Sequence, residues 1–282
     1  MLTLMLAAAL ALPQDGGAAA TDTSDTVLAF LESAEENLYD PREHGLESLE
    51  FVVPMIVPVG AEPAEVAAVS VSWTLGQEPA ITGKRADPMP SAVAGMPPQF
   101  LDQLVGNPTP YGAQYLGYAL ADYFGPLLQT HVATLGAGDD GVTVEFTPKA
   151  DAAPGQPATT WTFDEDGVPT GFVTQVEQQG PMGAVTIDFE STYNYRTGPA
   201  GKLVLESVSM SQMVGGSPMV ETNTVMTYAE RGEILVLTDV VTNATMMGVA
   251  DPIRSPLAFR DIVANGEPVT RAAAAPAAGE GR

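Results

Sequence analysis

Hydrophobic and polar residues alternate with a period of two through most of the chain after residue 141. Because no helical pattern intervenes, consecutive segments of this kind are expected to pair as antiparallel strands. The phase slips near Glu206 and Ser207, which predicts a β-bulge. The expected strands are 142–147, 159–163, 168–177, 186–195, 203–213, 220–228 and 234–241, with turns at 164–167, 198–201 and 231–232.

The first half of the chain combines helical and strand patterns. Apolar residues at steps of three and four predict amphipathic helices, and cap-forming residues at 21–25 precede the first of them. Pro126 is expected to kink or split the second long helix. Two prolines in the first strand favour a bent or edge strand. The predicted elements are helices at 25–38, 99–105 and 111–135, strands at 49–59 and 69–75, and a loop at 79–98.

These patterns place the protein in the α+β class, mainly β. An antiparallel sheet with one apolar face needs a cover, and the amphipathic helices upstream are the obvious candidates. We expect a signal peptide at 1–20, a single domain at 21–267 and a disordered tail at 268–282.

The signal-peptide prediction depends on the apolar run at 1–12, which is shorter than the roughly 20 residues that span a bilayer. Small residues follow at 18–20, so cleavage is expected near 11–20. No lysine or arginine precedes the run. A misassigned start codon or an uncleaved helix would each explain that departure. The mature protein is expected to be periplasmic or secreted, without stable membrane insertion.

The formal net charge of −24 excludes several classes of partner. Nucleic-acid binding requires a basic surface, and an anionic membrane would repel this chain. The acidity either serves solubility or recruits a basic partner. The chain contains no cysteine, so disulfides, thiolate nucleophiles and cysteine-based metal sites are excluded.

Candidate catalytic residues are scarce. The two histidines, His44 and His131, are both expected to be structural, and no phosphate-binding glycine loop or nucleophile-elbow motif is present. Residues 164–167 resemble part of a calcium loop, but Gln175 stands where a bidentate glutamate is required, so a hairpin turn is expected. We therefore expect no enzyme activity, cofactor or metal. An enzyme that uses carboxylates alone stays open as an alternative.

Four short segments resemble the periplasmic lipoprotein-localisation carrier family. They are Val142–Lys149 (VTVEFTPK), Thr159–Phe163 (TTWTF), Asp166-Gly167 and Val173–Gln178 (VTQVEQ), and the strand 186–195 follows in the same order. The resemblance implies an incomplete antiparallel barrel with helices packed over its concave face. It also implies a cavity that holds the acyl chains of lipoproteins. The sequence departs from the family in being longer and more acidic and in having an extra pair of strands after residue 215.

Together these observations predict an exported, monomeric, non-enzymatic binding or carrier protein for an apolar ligand such as a lipid or lipoprotein. The alternative is a cell-envelope interaction module with a packed core and no ligand, in which strand 49–59 pairs with a partner. Methionines in the last strands suit either a core or an adaptable apolar surface. The residues expected to line the cavity are Trp73, Leu120, Phe124, Phe189, Tyr193, Tyr195, Met226 and Tyr228.

Overall fold

The computed structural model describes residues 23–59, 62–91, 109–138, 141–152, 156–180, 183–248 and 252–270. The predicted signal peptide at 1–20 and the predicted helix at 99–105 lie outside the described residues, as do residues 271–282 of the predicted tail.

The described residues are mainly β. The α-helices are α1 (Asp25–Glu36), α2 (Thr109–Leu120) and α3 (Gly125–Thr130), and short 3₁₀ helices lie at Pro41–His44 and Pro199–Gly201. The strands are β1 (Ser48–Val59), β2 (Glu62–Thr74), β3 (Ala80–Arg85), β4 (His131–Gly138), β5 (Gly141–Pro148), β6 (Thr159–Phe163), β7 (Pro169–Gly180), β8 (Gly183–Thr197), β9 (Leu203–Val214), β10 (Ser217–Arg231), β11 (Ile234–Met246), β12 (Ile253–Ala258), β13 (Arg260–Ala264) and β14 (Glu267–Pro268).

Within the described residues the strands form two antiparallel sheets and no closed barrel. One sheet has nine strands in the order β12-β11-β10-β9-β8-β7-β6-β5-β4, which is the predicted meander extended at both ends. The other has five strands in the order β14-β13-β1-β2-β3. The chain divides into two compact units, the first built from residues up to 39, 120–225 and 241–255, and the second from 40–119, 226–240 and 256 onward.

The predicted meander is confirmed strand by strand, including its irregularity. In the pairing of β8 with β9, Asn194 lies opposite Ser207 and Tyr195 lies opposite Leu205, so Glu206 is the extra residue of a bulge. The predicted turns are also confirmed, and Gly167 and Gly232 adopt the positive φ values of 77° and 61° that favour glycine there.

The predicted helix over 111–135 is correct only in part. It splits at Pro126, as expected, because Ala121 adopts a φ of +54° and Pro126 lies in the first turn of α3. The helical prediction for 131–135 is wrong, because these residues form β4 and pair with β5 from His131 opposite Pro148 onward. Pairing with a strand outweighed the weak helical spacing of Leu127, Leu128 and Leu135.

Two further predictions need correction. The predicted loop at 79–98 contains β3, which pairs with β2 although almost all its side chains are exposed. Strand β1 has a register shift between Met55 and Ile56, which fits the predicted bent strand, and its first residues do not lie at a sheet edge. Its first residues, Leu49–Val52, lie between β13 and β2. Pro54 lies beyond the part of β1 that β13 pairs with, so its missing N–H interrupts no ladder there.

Helix α1 is capped at its start and contacts the rest of the first unit through Phe30 and its C-terminal end. Ser24 caps its start by accepting a hydrogen bond from Val27 N at 3.4 Å, and Phe30 packs edge-on against Phe163 of β6 with ring centroids 5.0 Å apart. At its end Lys202 Nζ donates to the carbonyl oxygen of Glu36, which places a cation at the helix C-terminus. Phe30 is thus the side chain of α1 that contacts a buried ring of the nine-stranded sheet.

Helix α2 packs against the five-stranded sheet of the second unit through a glycine. A Cβ atom at Gly112 would lie 2.6 Å from Ile81 Cγ2, 3.1 Å from Val71 Cγ2 and 3.2 Å from Val69 Cγ1. Beside it, the Tyr115 ring contacts Phe259 edge-on with ring centroids 5.4 Å apart. The close approach of helix and sheet therefore requires glycine at position 112.

Replacing Gly112 by alanine tests this packing. Alanine gains about 1 kcal/mol of helix propensity, but crowding a packed core costs about 1–3 kcal/mol, so we expect a net loss of roughly 1 kcal/mol in the free energy of unfolding. In an Ile81→Ala background the clashing methyl group is gone, and Gly112→Ala should become stabilising. Urea denaturation of the four proteins measures both effects. The packing account is wrong if the substitution has the same effect in both backgrounds.

Candidate functional site

The inner face of the nine-stranded sheet carries an aromatic cluster, which consists of Tyr123, Phe124, Trp161, Phe172 and Tyr193. Trp161 is its centre, with ring centroids 5.0 Å from Phe124, 5.3 Å from Phe172, 5.4 Å from Tyr193 and 6.4 Å from Tyr123. The last three partners sit at tilted angles of 37° to 55°, and Phe124 meets Trp161 edge-on at 76°. These are the offset and edge-to-face geometries that aromatic pairs favour.

Strand register explains how three of these rings meet. Trp161 lies directly opposite Phe172 in the pairing of β6 with β7, and Phe172 lies opposite Ser191 in the pairing of β7 with β8. Tyr193 is two residues beyond Ser191 and therefore points to the same face. The small Ser191 side chain leaves the space that the neighbouring rings occupy.

The other two rings come from the segment between α2 and α3. Phe124 is 1% exposed and precedes α3, while Tyr123 is half-buried. Asp122 Oδ1 accepts a hydrogen bond from Gly125 N at 3.1 Å, which holds the segment in a tight turn. Because Tyr123 and Phe172 are both half-buried, the cluster reaches the surface on one side.

Trp161 has an unusual polar atom. Its side chain is buried, and Nε1 has under 1 Å² of accessible surface and no hydrogen-bond partner among the described residues. The indole N–H is a donor only, and a buried donor without a partner costs about 1–3 kcal/mol. An apolar ligand with an acceptor group would satisfy it.

The structure brings together some of the residues that the sequence predicted for the cavity. Phe124 and Tyr193 belong to the aromatic cluster, and Tyr195 contacts Tyr193 with ring centroids 6.4 Å apart. Phe189 lies on the same face of β8, and Leu120 ends α2; both are buried.

The remaining predicted residues lie in the other compact unit. Trp73 and Met226 are buried there, and Tyr228 is half-buried. Of the six methionines in the last strands only Met226 is buried, while Met247 is 65% exposed.

The sequence prediction missed Trp161, Phe172 and Tyr123. The signal for Trp161 was present, because Thr159, Trp161 and Phe163 occupy every second position of a predicted strand. All three are buried in the structure. No comparable signal marks Tyr123, whose position depends on the turn between two helices.

A second candidate is an open groove of about 250 Å³ on the outer face of the five-stranded sheet. A bulge in β13, where Asp261 adopts a φ of +50°, turns that residue toward the groove. The groove also contains Glu50, Ser70, Ser72 and Thr82, and all five side chains are exposed. Neither histidine lines the groove, and its two carboxylates are Glu50 and Asp261.

The Asp164–Gly167 segment is a hairpin turn, as expected. Asp164 Oδ1 accepts hydrogen bonds from Asp166 N at 3.0 Å and Val168 N at 2.8 Å, so the carboxylate is used within the turn. Across the described ranges, no group of three acidic, histidine or cysteine side chains is arranged to hold a metal ion.

His131 is buried at the junction of α3 and β4. Its Nε2 lies 3.2 Å from the carbonyl oxygen of Pro157, which can only accept, so Nε2 carries the proton and the Thr130 hydroxyl donates to Nδ1 at 2.8 Å. Burial lowers the pKa of His131, although backbone hydrogen bonds to Pro157 and Leu127 oppose that shift. The neutral ring therefore ties the junction of α3 and β4 to the segment that precedes β6.

Lowering the pH from about 7.5 to about 5.5 should destabilise the protein in part through His131. In the unfolded chain its pKa returns to about 6.5, so the unfolded state binds more protons. The stability from neutral His131 is full above about pH 6.5 and is lost as the pH falls toward the lowered pKa. His131→Gln should cost about 1–2 kcal/mol at pH 7.5 through lost hydrogen bonds and should flatten the pH slope.

Urea denaturation at both pH values measures this slope. Making the comparison in a His44→Gln background assigns the slope to His131, because the chain has only two histidines. If the His131→Gln protein keeps the full wild-type slope, the neutral buried ring is not its source.

No helix among the described residues has the length and apolar character needed to cross a membrane. Comparison of the chain with protein-family models, with curated proteins and with solved structures gave no match.

Proposed function

We propose that the protein is a non-enzymatic, extracytoplasmic binding or carrier protein that holds an apolar ligand against the aromatic cluster. In this proposal the nine-stranded sheet is curved like an incomplete barrel, and helices cover its concave face. Periplasmic or secreted localisation follows from the apolar run and small residues at 1–20. The similarity of Val142–Lys149 and the following hairpin to lipoprotein-localisation carriers is consistent with this role.

The observation that carries the proposal is the composition of the aromatic cluster. Five large rings meet on one sheet face, two of them half-buried, and the central one has a buried N–H without a partner. Ligand sites are mostly apolar and aromatic and contain a few placed polar groups. A core that served packing alone would gain nothing from an unpaired donor at its centre.

The alternative function is an interaction module of the cell envelope. The version in which strand 49–59 pairs with a partner is unfavourable for Leu49–Val52, because β13 and β2 already occupy both sides. A different edge suits it better: residues 134–138 of β4 are exposed and include neither charge nor proline, and β4 is the last strand of its sheet. Native proteins usually protect such edges, so this one could add a partner strand.

A quenching experiment tests the proposed function and locates the ligand. The chain has two tryptophans, so Trp73→Phe leaves Trp161 as the only reporter and Trp161→Phe leaves Trp73. The delipidated proteins are titrated with methyl stearate brominated in mid-chain, because bromine quenches tryptophan fluorescence only at short range. We expect saturable quenching of Trp161 and little quenching of Trp73.

Two results would count against the proposal. Absence of saturable quenching in both variants favours the interaction module. Quenching of Trp73 alone would place the ligand in the other compact unit. The same ester without bromine serves as the control for fluorescence changes that do not arise from contact with the chain.

A further inference from the structure

We infer that the ligand of the aromatic cluster is a neutral molecule with an apolar chain and a carbonyl oxygen, and that Trp161 Nε1 donates a hydrogen bond to that oxygen. The inference rests on the proposed function and goes further, because it names the chemical group that the site selects.

The first argument is that three buried hydroxyls close to Trp161 in the sheet, those of Thr159, Thr174 and Ser191, have partners. The hydroxyls of Thr159 and Thr174 bond to each other at 2.7 Å. Ser191 Oγ accepts from Phe172 N at 3.0 Å and donates to the Phe172 carbonyl oxygen at 3.3 Å. Each hydroxyl is thus satisfied within the sheet, whereas the Trp161 indole N–H is not. An acceptor supplied by a ligand completes the set.

The second argument concerns the charge of that acceptor. A carboxylate buried among rings would need a cation, because desolvating an unpaired charge is far more costly than desolvating a neutral group. The aromatic cluster is made of two tyrosines, two phenylalanines and one tryptophan, and none of them supplies a positive charge. The chain as a whole has a formal charge of −24, which also opposes an anion.

The third argument concerns donors on the ligand. The indole N–H donates and cannot accept, so a ligand hydroxyl or amine would bring an O–H or N–H of its own for which Trp161 offers no acceptor. An ester or ketone carbonyl brings two lone pairs and no donor. A neutral acyl ester therefore matches the aromatic cluster better than a fatty acid anion, an alcohol or an amine.

A competing account is that the indole N–H rests on the face of a neighbouring ring. Phe124 meets Trp161 edge-on at a centroid distance of 5.0 Å, and weak N–H···π contacts occur in such pairs. In that case the N–H needs no ligand, and removing it changes neither affinity nor selectivity. The two accounts therefore predict different effects of removing the indole N–H on ligand affinity and selectivity.

The experiment compares three probes of similar chain length: methyl decanoate, decanoate ion and undecane. Each displaces a fluorescent acyl ester from wild-type protein, from Trp161→Phe and from Trp73→Phe, a matched change in the other compact unit. We expect wild type to bind methyl decanoate more tightly than the other two. Trp161→Phe should lose about 3- to 10-fold in affinity for the ester, as expected for one hydrogen bond, with undecane affinity nearly unchanged. Trp73→Phe should keep the wild-type ratio of ester to alkane affinity.

A second measurement uses unmodified protein and does not depend on how Trp161→Phe folds. The indole N–H signal of Trp161 in a ¹H–¹⁵N spectrum should move downfield when methyl decanoate binds and stay in place with undecane. An unchanged signal with the bound ester overturns the inference.

Failure of the inference and failure of the proposed function give different results. If none of the probes displaces the fluorescent ester and that ester does not bind, the proposed function itself is wrong. If all three probes bind and the ratio of ester affinity to alkane affinity is the same in wild type and Trp161→Phe, the protein binds apolar chains but Trp161 does not recognise the carbonyl group. Tighter binding of decanoate ion than of the ester would contradict the argument from charge.

Discussion

The contact between Phe124 and the inner face of the nine-stranded sheet is the interaction on which the first compact unit depends. The ring is almost fully buried and lies within 6.1 Å of the rings of Phe146, Trp161 and Phe163, measured between centroids. Phe124 can reach that position only because the helical pattern breaks between Ala121 and Gly125. If the helix continued to residue 135, the Phe124 ring would not reach this face and residues 131–135 would not form strand β4. The break that proline and a positive φ impose therefore determines the edge of the sheet and the geometry of the aromatic cluster.

Basic side chains serve an unexpected purpose in this acidic protein. Lys149 Nζ donates to the carbonyl oxygens of Leu128 at 2.8 Å and Gln129 at 3.2 Å at the end of α3, and Lys202 does the same for α1. Arg231 donates to the carbonyl oxygen of Ala264 as well as to Glu267. Although the chain has only 11 basic residues against 35 acidic ones, these three donate hydrogen bonds to backbone carbonyl oxygens, and Arg231 contacts a carboxylate as well. Lys149 follows Pro148 at the end of β5, and its contacts with the last carbonyls of α3 give this lysine a helix-capping role.

The sequence was sufficient for the elements whose burial follows the period of the strand. Residues 159–163 were predicted to the residue because Thr159, Trp161 and Phe163 all face inward, and even the bulge at Glu206 left a visible slip in phase. The sequence of β3 shows no alternating pattern, because nearly all its side chains are exposed. Pairing with β2 alone determines its conformation. The predicted helix over 131–135 failed for a related reason. The exposed half of β4 has no alternating burial, so the spacing of its apolar residues resembled that of a helix. Pairing with β5 determines that these residues form a strand.

The candidate site was less predictable than the fold, because its chemistry depends on the missing hydrogen-bond partner of one atom, Trp161 Nε1. Sequence patterns place Trp161, Phe189 and Tyr193 on buried faces, and a tightly packed core would require the same residues. Only the coordinates show that the hydroxyls of Thr159, Thr174 and Ser191 find partners within the sheet while the Trp161 N–H finds none. A tryptophan in a well-packed core usually donates a hydrogen bond from its indole N–H, because a buried donor without a partner destabilises the folded state. The unpaired indole N–H at the centre of the aromatic cluster is therefore a stronger argument for the proposed binding surface than the number of rings is.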